Sequence, residues 1–127
     1  MIILDTSCLI DLFQGREGIL ELIDAEVTTT AINYHEIMAG IKHKKAKKEE
    51  RYFKRFFSKI DILPYDIRAA EKSSEIYAYM LNLGKQINAL DILIAAIAIE
   101  NGAEKIITSD KDFSEISKIT DLKTIIY

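Results

Sequence analysis

The chain has 127 residues, of which 49% are hydrophobic and 29% are charged, and its formal net charge is -3. This composition excludes a disordered tail and an integral membrane protein, and the length fits a single domain over residues 1–127. The single cysteine, Cys8, excludes a disulfide framework and a thiolate zinc site. Because no secretory signal pattern is present either, we expect a cytoplasmic protein that does not enter a membrane.

Short apolar runs alternate with segments of helical periodicity along the whole chain. The predicted elements are, in order, a strand (1–4), helices (8–13 and 18–25), a strand (27–29), a helix capped by Thr30 (through 41), a helical basic segment (42–55), a strand (61–64), helices (66–83 and 88–100), a strand (105–108), a helix (112–117) and a strand (123–126). Such alternation predicts an α/β fold with a central parallel sheet flanked by helices on both faces. In these sheets the functional crevice lies beyond the carboxyl ends of the strands.

The basic residues are concentrated in one part of the chain. Residues 42–55 hold eight of the 17 Lys and Arg residues and carry +6, so the remainder carries -9. Lys, Ala, Glu and Arg all favour helix, so this segment is expected to form a solvated helix. The aromatic residues that overlap its end, Phe53, Phe56 and Phe57, follow helical spacing, which is more typical of core packing than of base stacking.

Several acidic residues stand where the sheet rule places a functional crevice. Asp5 directly follows the first predicted strand, and both Asp110 and Asp112 follow a later one. Glu36 lies about two turns into the helix after the second strand. Asp91 lies in the first turn of a helix whose next eight residues are all apolar, so it must lie at the mouth of the core.

A cluster of these acids would need counter-charge, because neighbouring buried carboxylates cannot all stay ionised without it. Mg²⁺ takes only one or two carboxylates directly, so four acids can serve one or two ions, and metal-assisted phosphoryl chemistry is the usual use. Taken singly, the acids have simpler interpretations. Asp5 and Asp110 or Asp112 would cap helices, Asp91 would pair with the Asn88 backbone in a capping box, and Glu36 would be solvated.

Four segments, in chain order, resemble the sequence blocks of PIN-domain ribonucleases. They are Leu4–Asp11 (LDTSCLID), Asn33–Gly40 (NYHEIMAG), Asp91–Ala98 (DILIAAIA) and Thr108–Phe113 (TSDKDF). They span nearly the whole chain, and the likeness is closest to the VapC toxins of VapBC toxin–antitoxin pairs. The resemblance implies a compact fold with a central parallel sheet, and Mg²⁺- or Mn²⁺-dependent endonuclease activity on RNA.

Carried over by position, the resemblance implies four catalytic, metal-binding acids: Asp5, Glu36, Asp91 and Asp110. It also implies auxiliary polar groups near the metal, which are Thr6 and either Thr108 or Ser109. Asp112 is an alternative to Asp110 or shares its role. Some family members have Asn at the fourth acid, so the presence of Asp110 favours a complete site.

No block supplies a well-placed His or Lys as general base. His35 neighbours Glu36, but adjacent helical residues point about 100° apart. We therefore expect the metal to activate water, and in-line hydrolysis to leave a 3′-hydroxyl and a 5′-phosphate. Because an acidic site repels phosphates, four lysines of the basic segment are candidate contacts to the RNA backbone: Lys44, Lys45, Lys47 and Lys48.

A toxin would imply a VapB-like antitoxin that blocks the site, and toxins of this family usually form homodimers. Candidate partner residues near the start, equally compatible with ordinary core, are Leu9, Leu12, Phe13, Leu20 and Ile23. Three alternatives stay open: a PIN nuclease of RNA maturation or decay without an antitoxin, a degenerate PIN binding module, and a receiver-like signalling domain. The receiver would need an acid pair after the first strand, where only Asp5 is present.

Overall fold

The computed structural model describes residues 1–127 and contains one five-stranded sheet, six α-helices and a 3₁₀ helix over Glu17–Leu22. The strands are β1 (Ile2–Leu4), β2 (Val27–Thr30), β3 (Ile62–Leu63), β4 (Lys105–Thr108) and β5 (Thr124–Ile126). The helices are α1 (Thr6–Phe13), α2 (Ala31–Lys44), α3 (Lys47–Phe57), α4 (Ile67–Asn82), α5 (Ala89–Glu100) and α6 (Asp112–Ile119).

Every pair of neighbouring strands is parallel, in the order β3-β2-β1-β4-β5, which confirms the predicted α/β fold. Successive residues of a strand point to opposite faces, so the central strand β1 serves both sides of the sheet. Ile3 packs with apolar residues of α4, α5 and α6, whereas Ile2 and Leu4 pack with those of α1, α2 and α3. The molecule therefore has three layers, and the carboxyl end of β1 lies at the middle of the sheet edge.

Helix α5 is the most deeply buried helix. Its residues from Ile94 to Ala98 are all inaccessible to solvent, and α4 and α6 pack against it. Three of those five residues are alanines, which allows the neighbouring elements to approach closely. None of the six α-helices combines the length and the apolar character that crossing a membrane requires.

The basic segment is not one helix, contrary to the prediction. It breaks at Lys45, which has φ 55° and ψ 40°, and the Ala46 N–H donates to the Ile41 carbonyl at 3.1 Å. The cause is the phase of the apolar residues. Ile41 and Phe53 are twelve positions apart, which in a continuous helix would turn them about 120° away from each other. The break between α2 and α3 lets both side chains enter the core, where they are 3% and 2% exposed.

Two other short elements differ from the predictions. The expected helix over 18–25 is the 3₁₀ helix, and the first helix begins at Thr6 rather than Cys8. The aromatic stripe is core, as expected: Phe53 and Phe57 are buried, and the Phe13 ring lies 5.7 Å from that of Phe53. Cys8 is fully buried, and this burial raises the pKa of its thiol to about 12, which excludes a nucleophilic role near neutral pH.

The left-handed backbone at Lys45 generates a stability prediction. Lys45→Gly should raise the free energy of unfolding by about 1 kcal/mol, because glycine adopts this conformation without the Cβ penalty. Urea unfolding followed by circular dichroism measures the change. The matched control is Lys42→Gly, within the last turn of α2, which should lower it by roughly 0.5–1 kcal/mol. Equal effects of the two substitutions would contradict the structure of this break.

Candidate metal centre

Asp5 is held in place by donors from two other segments of the chain. It follows β1 and is only 4% exposed. Its Oδ2 accepts a hydrogen bond from the Thr108 hydroxyl at 2.6 Å, and its Oδ1 accepts one from Asn33 Nδ2 at 3.0 Å. Although Asp5 occupies the N-cap position of α1, its side chain makes no capping bond, so the capping interpretation is wrong. Burial raises the pKa of Asp5, while these two bonds oppose the rise.

The hydroxyl of Thr108 has a fixed orientation. It accepts a hydrogen bond from the Asp110 N–H at 2.9 Å, so its own hydrogen is free to go to Asp5. Ser7 lies 3.3 Å from this hydroxyl and accepts from the Ser109 N–H at 3.0 Å, so Ser7 is oriented to donate to Thr108. The end of β4 is thereby tied to the start of α1. Ser7 was not among the residues singled out from the sequence.

Asn33 is the main site residue that the sequence reasoning left unassigned. It is fully buried, and its Nδ2 donates at 3.0 Å both to Asp5 and to the Thr6 hydroxyl. Because Thr6 accepts this bond, its hydrogen goes to Glu36 Oε1, at 2.8 Å. The other end of the amide accepts from the Thr30 hydroxyl at 2.7 Å, within the capping box of α2. The available signal was its spacing, since Asn33 lies one helical turn before Glu36 on the same face.

Asp91 has one carboxylate oxygen that no group of the protein satisfies. It is 6% exposed, and its Oδ2 is buried without a hydrogen-bond partner. The capping-box interpretation is wrong, because Asn88 Oδ1 accepts from the Leu90 N–H at 2.9 Å and the Asp91 carboxylate accepts no such bond. Burial, reinforced by the nearby Asp110 carboxylate, raises the pKa of Asp91 to about 8.

Three acids lie closest together. One carboxylate oxygen from each of Asp91, Asp110 and Asp112 lies within 4.8 Å of the other two. The capping interpretation of Asp110 is partly right, because its Oδ1 accepts from the Asp112 N–H at 2.9 Å at the start of α6. Asp112, which was the alternative to Asp110 in the sequence analysis, therefore lies in the same cluster as Asp110.

Asp5 and Glu36 border this trio without belonging to it. Their charges raise the pKa of Asp91, and the charge of Asp110 raises the pKa values of Asp5 and Glu36. Glu36 is half-buried, and this burial is the largest cause of its raised pKa, so it is not an ordinary solvated residue. The structure therefore brings all four predicted acids, and Asp112, to the carboxyl edge of the sheet.

This donor set fits a hard divalent cation. It consists of carboxylate oxygens alone, which suit Mg²⁺ and Mn²⁺ better than softer metals. The buried, unpaired oxygen of Asp91 is the independent sign of a fit, because such an atom costs free energy until a cation or donor reaches it. The residues that would hold the ion are Asp91, Asp110 and Asp112, with Asp5 and Glu36 beside them.

Of the four candidate lysines, only Lys44 shares a groove with an acid of this centre. Lys44 lines a groove that also contains Glu36, whereas Lys45 and Lys47 line a different one next to Glu50. All four side chains, including that of Lys48, are exposed. His35 is exposed as well and makes no hydrogen bond to the cluster.

The model of the PIN domain family matches residues 2–119, and so includes every acid of the centre. The chain belongs to the PIN-domain family. No curated protein matches the sequence.

Among solved structures, this PIN domain is similar to a chain of VapBC2 from Rickettsia felis bound to a DNA fragment from their promoter, at 22% identity and a TM-score of 0.83, covering 100% of this chain and 99% of that one. It is also similar to a chain of FitAcB from Neisseria gonorrhoeae, at 26% identity and a TM-score of 0.78, covering 98% and 96%. A toxin–antitoxin complex from Klebsiella pneumoniae matches at 28% identity and a TM-score of 0.73, covering 91% and 92%.

The raised pKa of Asp91 predicts how stability depends on pH. Asp91 binds its proton more tightly in the folded state, so the metal-free protein should lose stability as the pH rises from about 4 to about 8. Melting temperatures in EDTA across this range measure the loss. Asp91→Asn should be more stable than the wild type at pH 8 and should remove most of the slope.

The control for this prediction is Asp5→Asn. The Asp5 carboxylate already accepts two hydrogen bonds, and an amide in its place turns its NH₂ toward one of those partners, so this variant should be less stable than the wild type. A melting temperature that is flat or rises between pH 5 and pH 8 in the wild type would contradict the unpaired state of Asp91.

Proposed function

We propose that this PIN domain is a Mg²⁺- or Mn²⁺-dependent endoribonuclease and the toxin of a type II toxin–antitoxin pair. The observation that carries the proposal is the buried, unpartnered oxygen of Asp91 beside Asp110 and Asp112, at the functional edge of the sheet. A bound divalent ion would supply Lewis acidity and a water of lowered pKa, which is the chemistry that hydrolysis of a phosphodiester requires.

We assign two different tasks to the acids. Asp91, Asp110 and Asp112 are proposed as direct metal ligands, since their oxygens lie nearest one another. Asp5 and Glu36 complete the cluster. The hydrogen bonds from Thr108 and Thr6 leave each of these carboxylates with a fixed orientation, so Thr6 and Thr108 act as auxiliary residues. Ser109 would contribute through its backbone N–H, which donates a hydrogen bond to the Ser7 hydroxyl.

The basic segment would bring RNA to this acidic site. Its lysines lie on α2 and α3 and offer a positive surface, and such a surface binds phosphates by releasing counterions. Lys44 is proposed as the contact nearest the metal, because it shares a groove with Glu36. Lys45, Lys47 and Lys48 would extend the contact away from it.

The antitoxin is proposed to bind an apolar groove near the start of the chain. The Klebsiella pneumoniae structure to which the chain is similar is a toxin–antitoxin complex, and an apolar cavity of about 400 Å³ lies near the start of this chain. Leu12, Leu20 and Ile23 line it, and Leu20 is 61% exposed. Leu9 faces the core instead and is not available to a partner.

The proposed homodimer has a candidate surface elsewhere. Several large apolar side chains of α4 and its flanks are exposed, among them Ile67, Tyr77 and Leu81. A homodimer would bury them. An RNA substrate and an antitoxin together imply action in the cytoplasm.

The three alternative functions have different support. The receiver-like domain is wrong, because the chain belongs to the PIN family. A degenerate binding module is disfavoured, because every predicted acid is present at the sheet edge. A nuclease of RNA maturation remains the second candidate, and a small antitoxin gene beside this one would distinguish the two.

The proposal predicts metal-dependent cleavage of RNA. Purified protein incubated with total RNA and Mn²⁺ or Mg²⁺ should produce discrete fragments with 5′-phosphate ends, and EDTA should abolish them. Asp91→Asn and Asp110→Asn should each reduce the rate by roughly 100-fold or more, because each removes charge from the metal centre. Mapping of 5′ ends by sequencing provides the measurement.

Two controls accompany this experiment. Asp121→Asn removes an exposed acid outside the centre and should cleave like the wild type. His35→Ala should also stay active, because the exposed imidazole makes no hydrogen bond to an acid of the cluster. Cleavage that persists unchanged in EDTA would contradict the proposed mechanism.

A further inference from the structure

Gly40 has no explanation within the chain itself. It lies inside α2, where glycine costs roughly 0.5–1 kcal/mol relative to alanine. The backbone conformation at Gly40 does not require glycine, because its φ angle is not positive. Packing does not require it either, because a Cβ built at Gly40 would meet no heavy atom within 4 Å. An open, unfavourable glycine in a helix suggests a surface that something outside the chain approaches.

The position of Gly40 connects the metal centre to the basic segment. Glu36, Gly40 and Lys44 are spaced four residues apart, so they lie along one face of α2. All three line a narrow groove of about 50 Å³, together with Ile10 of α1 and Phe53 of α3. At one end, Glu36 accepts the Thr6 hydrogen bond beside Asp5. At the other end, Lys44 is exposed and takes part in no salt bridge of the chain.

We propose that this face of α2 is an RNA-binding path, in which the missing side chain of Gly40 lets a single strand pass from the metal centre to Lys44. Glycine permits close approach of another backbone to the helix, and the Lys44 ammonium then meets a phosphate of the same strand. Glu49 also lines the groove and Lys44 is its one cation, so a strand on this path would run from bound metal to the Lys44 ammonium. This inference rests on the proposed ribonuclease function and assigns the direction in which the substrate leaves the site.

The test compares RNA binding with stability. The probe is a 5′-fluorescein RNA dodecamer of mixed sequence, and its affinity is measured by fluorescence anisotropy at low salt with Ca²⁺ to fill the acidic site, while gel electrophoresis checks that the probe stays intact. Gly40→Leu should weaken binding by about 10-fold, because its side chain fills the path. Gly40→Ala should weaken binding by about 2-fold and yet raise the melting temperature, since alanine favours the helix. A merely structural glycine would not give opposite changes in these two readouts.

Three further variants sharpen the test. Ala39→Leu adds the same bulk at an exposed neighbour, about 100° around the helix and outside the groove, and should bind like the wild type. Gly18→Ala, at the other open glycine without positive φ, should also have no effect on binding. Lys44→Ala should weaken binding and reduce the slope of log affinity against log salt by about 1.

The possible outcomes separate this inference from the proposed function. Wild-type affinity in Gly40→Leu, in a protein whose wild type cleaves RNA, would overturn the RNA path alone. Loss of binding to a co-expressed antitoxin with unchanged RNA affinity would assign the groove to the partner and overturn it as well. A wild type that neither binds nor cleaves RNA would overturn both.

Discussion

An apolar helix that begins with a carboxylate sets the central constraint of this protein. Helix α5 is buried between the sheet and two other helices, so its first turn brings Asp91 to the mouth of the core. The neighbouring Asn88 side chain caps a different N–H, and no donor of the chain reaches Asp91 Oδ2. Burial in this state favours the protonated carboxyl group, and an arriving positive charge favours its ionisation. Folding alone therefore leaves this group unsatisfied.

The acids around Asp91 differ from it in the hydrogen bonds that they accept. Asp5 and Glu36 each receive hydroxyl or amide donors, and Asn33 connects them through Thr6. These bonds link the ends of β1, β2 and β4 at one edge, so the orientations of the side chains depend on the sheet itself. A cluster that combines fixed acids with an unsatisfied one is pre-arranged for a ligand that the protein does not supply. This division explains why the same edge carries raised carboxyl pKa values although Asp5 and Glu36 both receive internal donors.

Much of this arrangement follows from the sequence by elementary rules. Alternating strands and helices predicted the parallel sheet, and the sheet rule then placed Asp5 and Asp110 at the same edge. The apolar run after Asp91 predicted its depth. The break at Lys45 was missed, although the twelve-residue spacing of Ile41 and Phe53 contains the information. Helix propensity favours a continuous helix there, whereas the phase of the core residues requires a break.

Other features depended on three-dimensional contacts that no local pattern shows. The local sequence around Asn33 indicates a residue of the α2 cap. Its amide gains two further acceptors, Asp5 and Thr6, only because the start of α1 packs against it. The burial of Leu9 beside the exposure of Leu20 follows from the turn between α1 and the 3₁₀ helix, which the apolar pattern alone does not distinguish. The proposed role of Gly40 likewise depends on the folded structure, in which a Cβ at this position would meet no heavy atom within 4 Å.

The most direct measurement counts the protons that metal binding releases. Because the pKa of Asp91 is raised to about 8, the metal-free protein should carry a proton on this residue at pH 7. Mn²⁺ binding should then displace about one proton, which isothermal titration in buffers of different ionisation enthalpy detects. The same titration of Asp91→Asn should release almost none. Mn²⁺ binding without proton release in the wild type, or no binding at all, would contradict a metal centre built on Asp91.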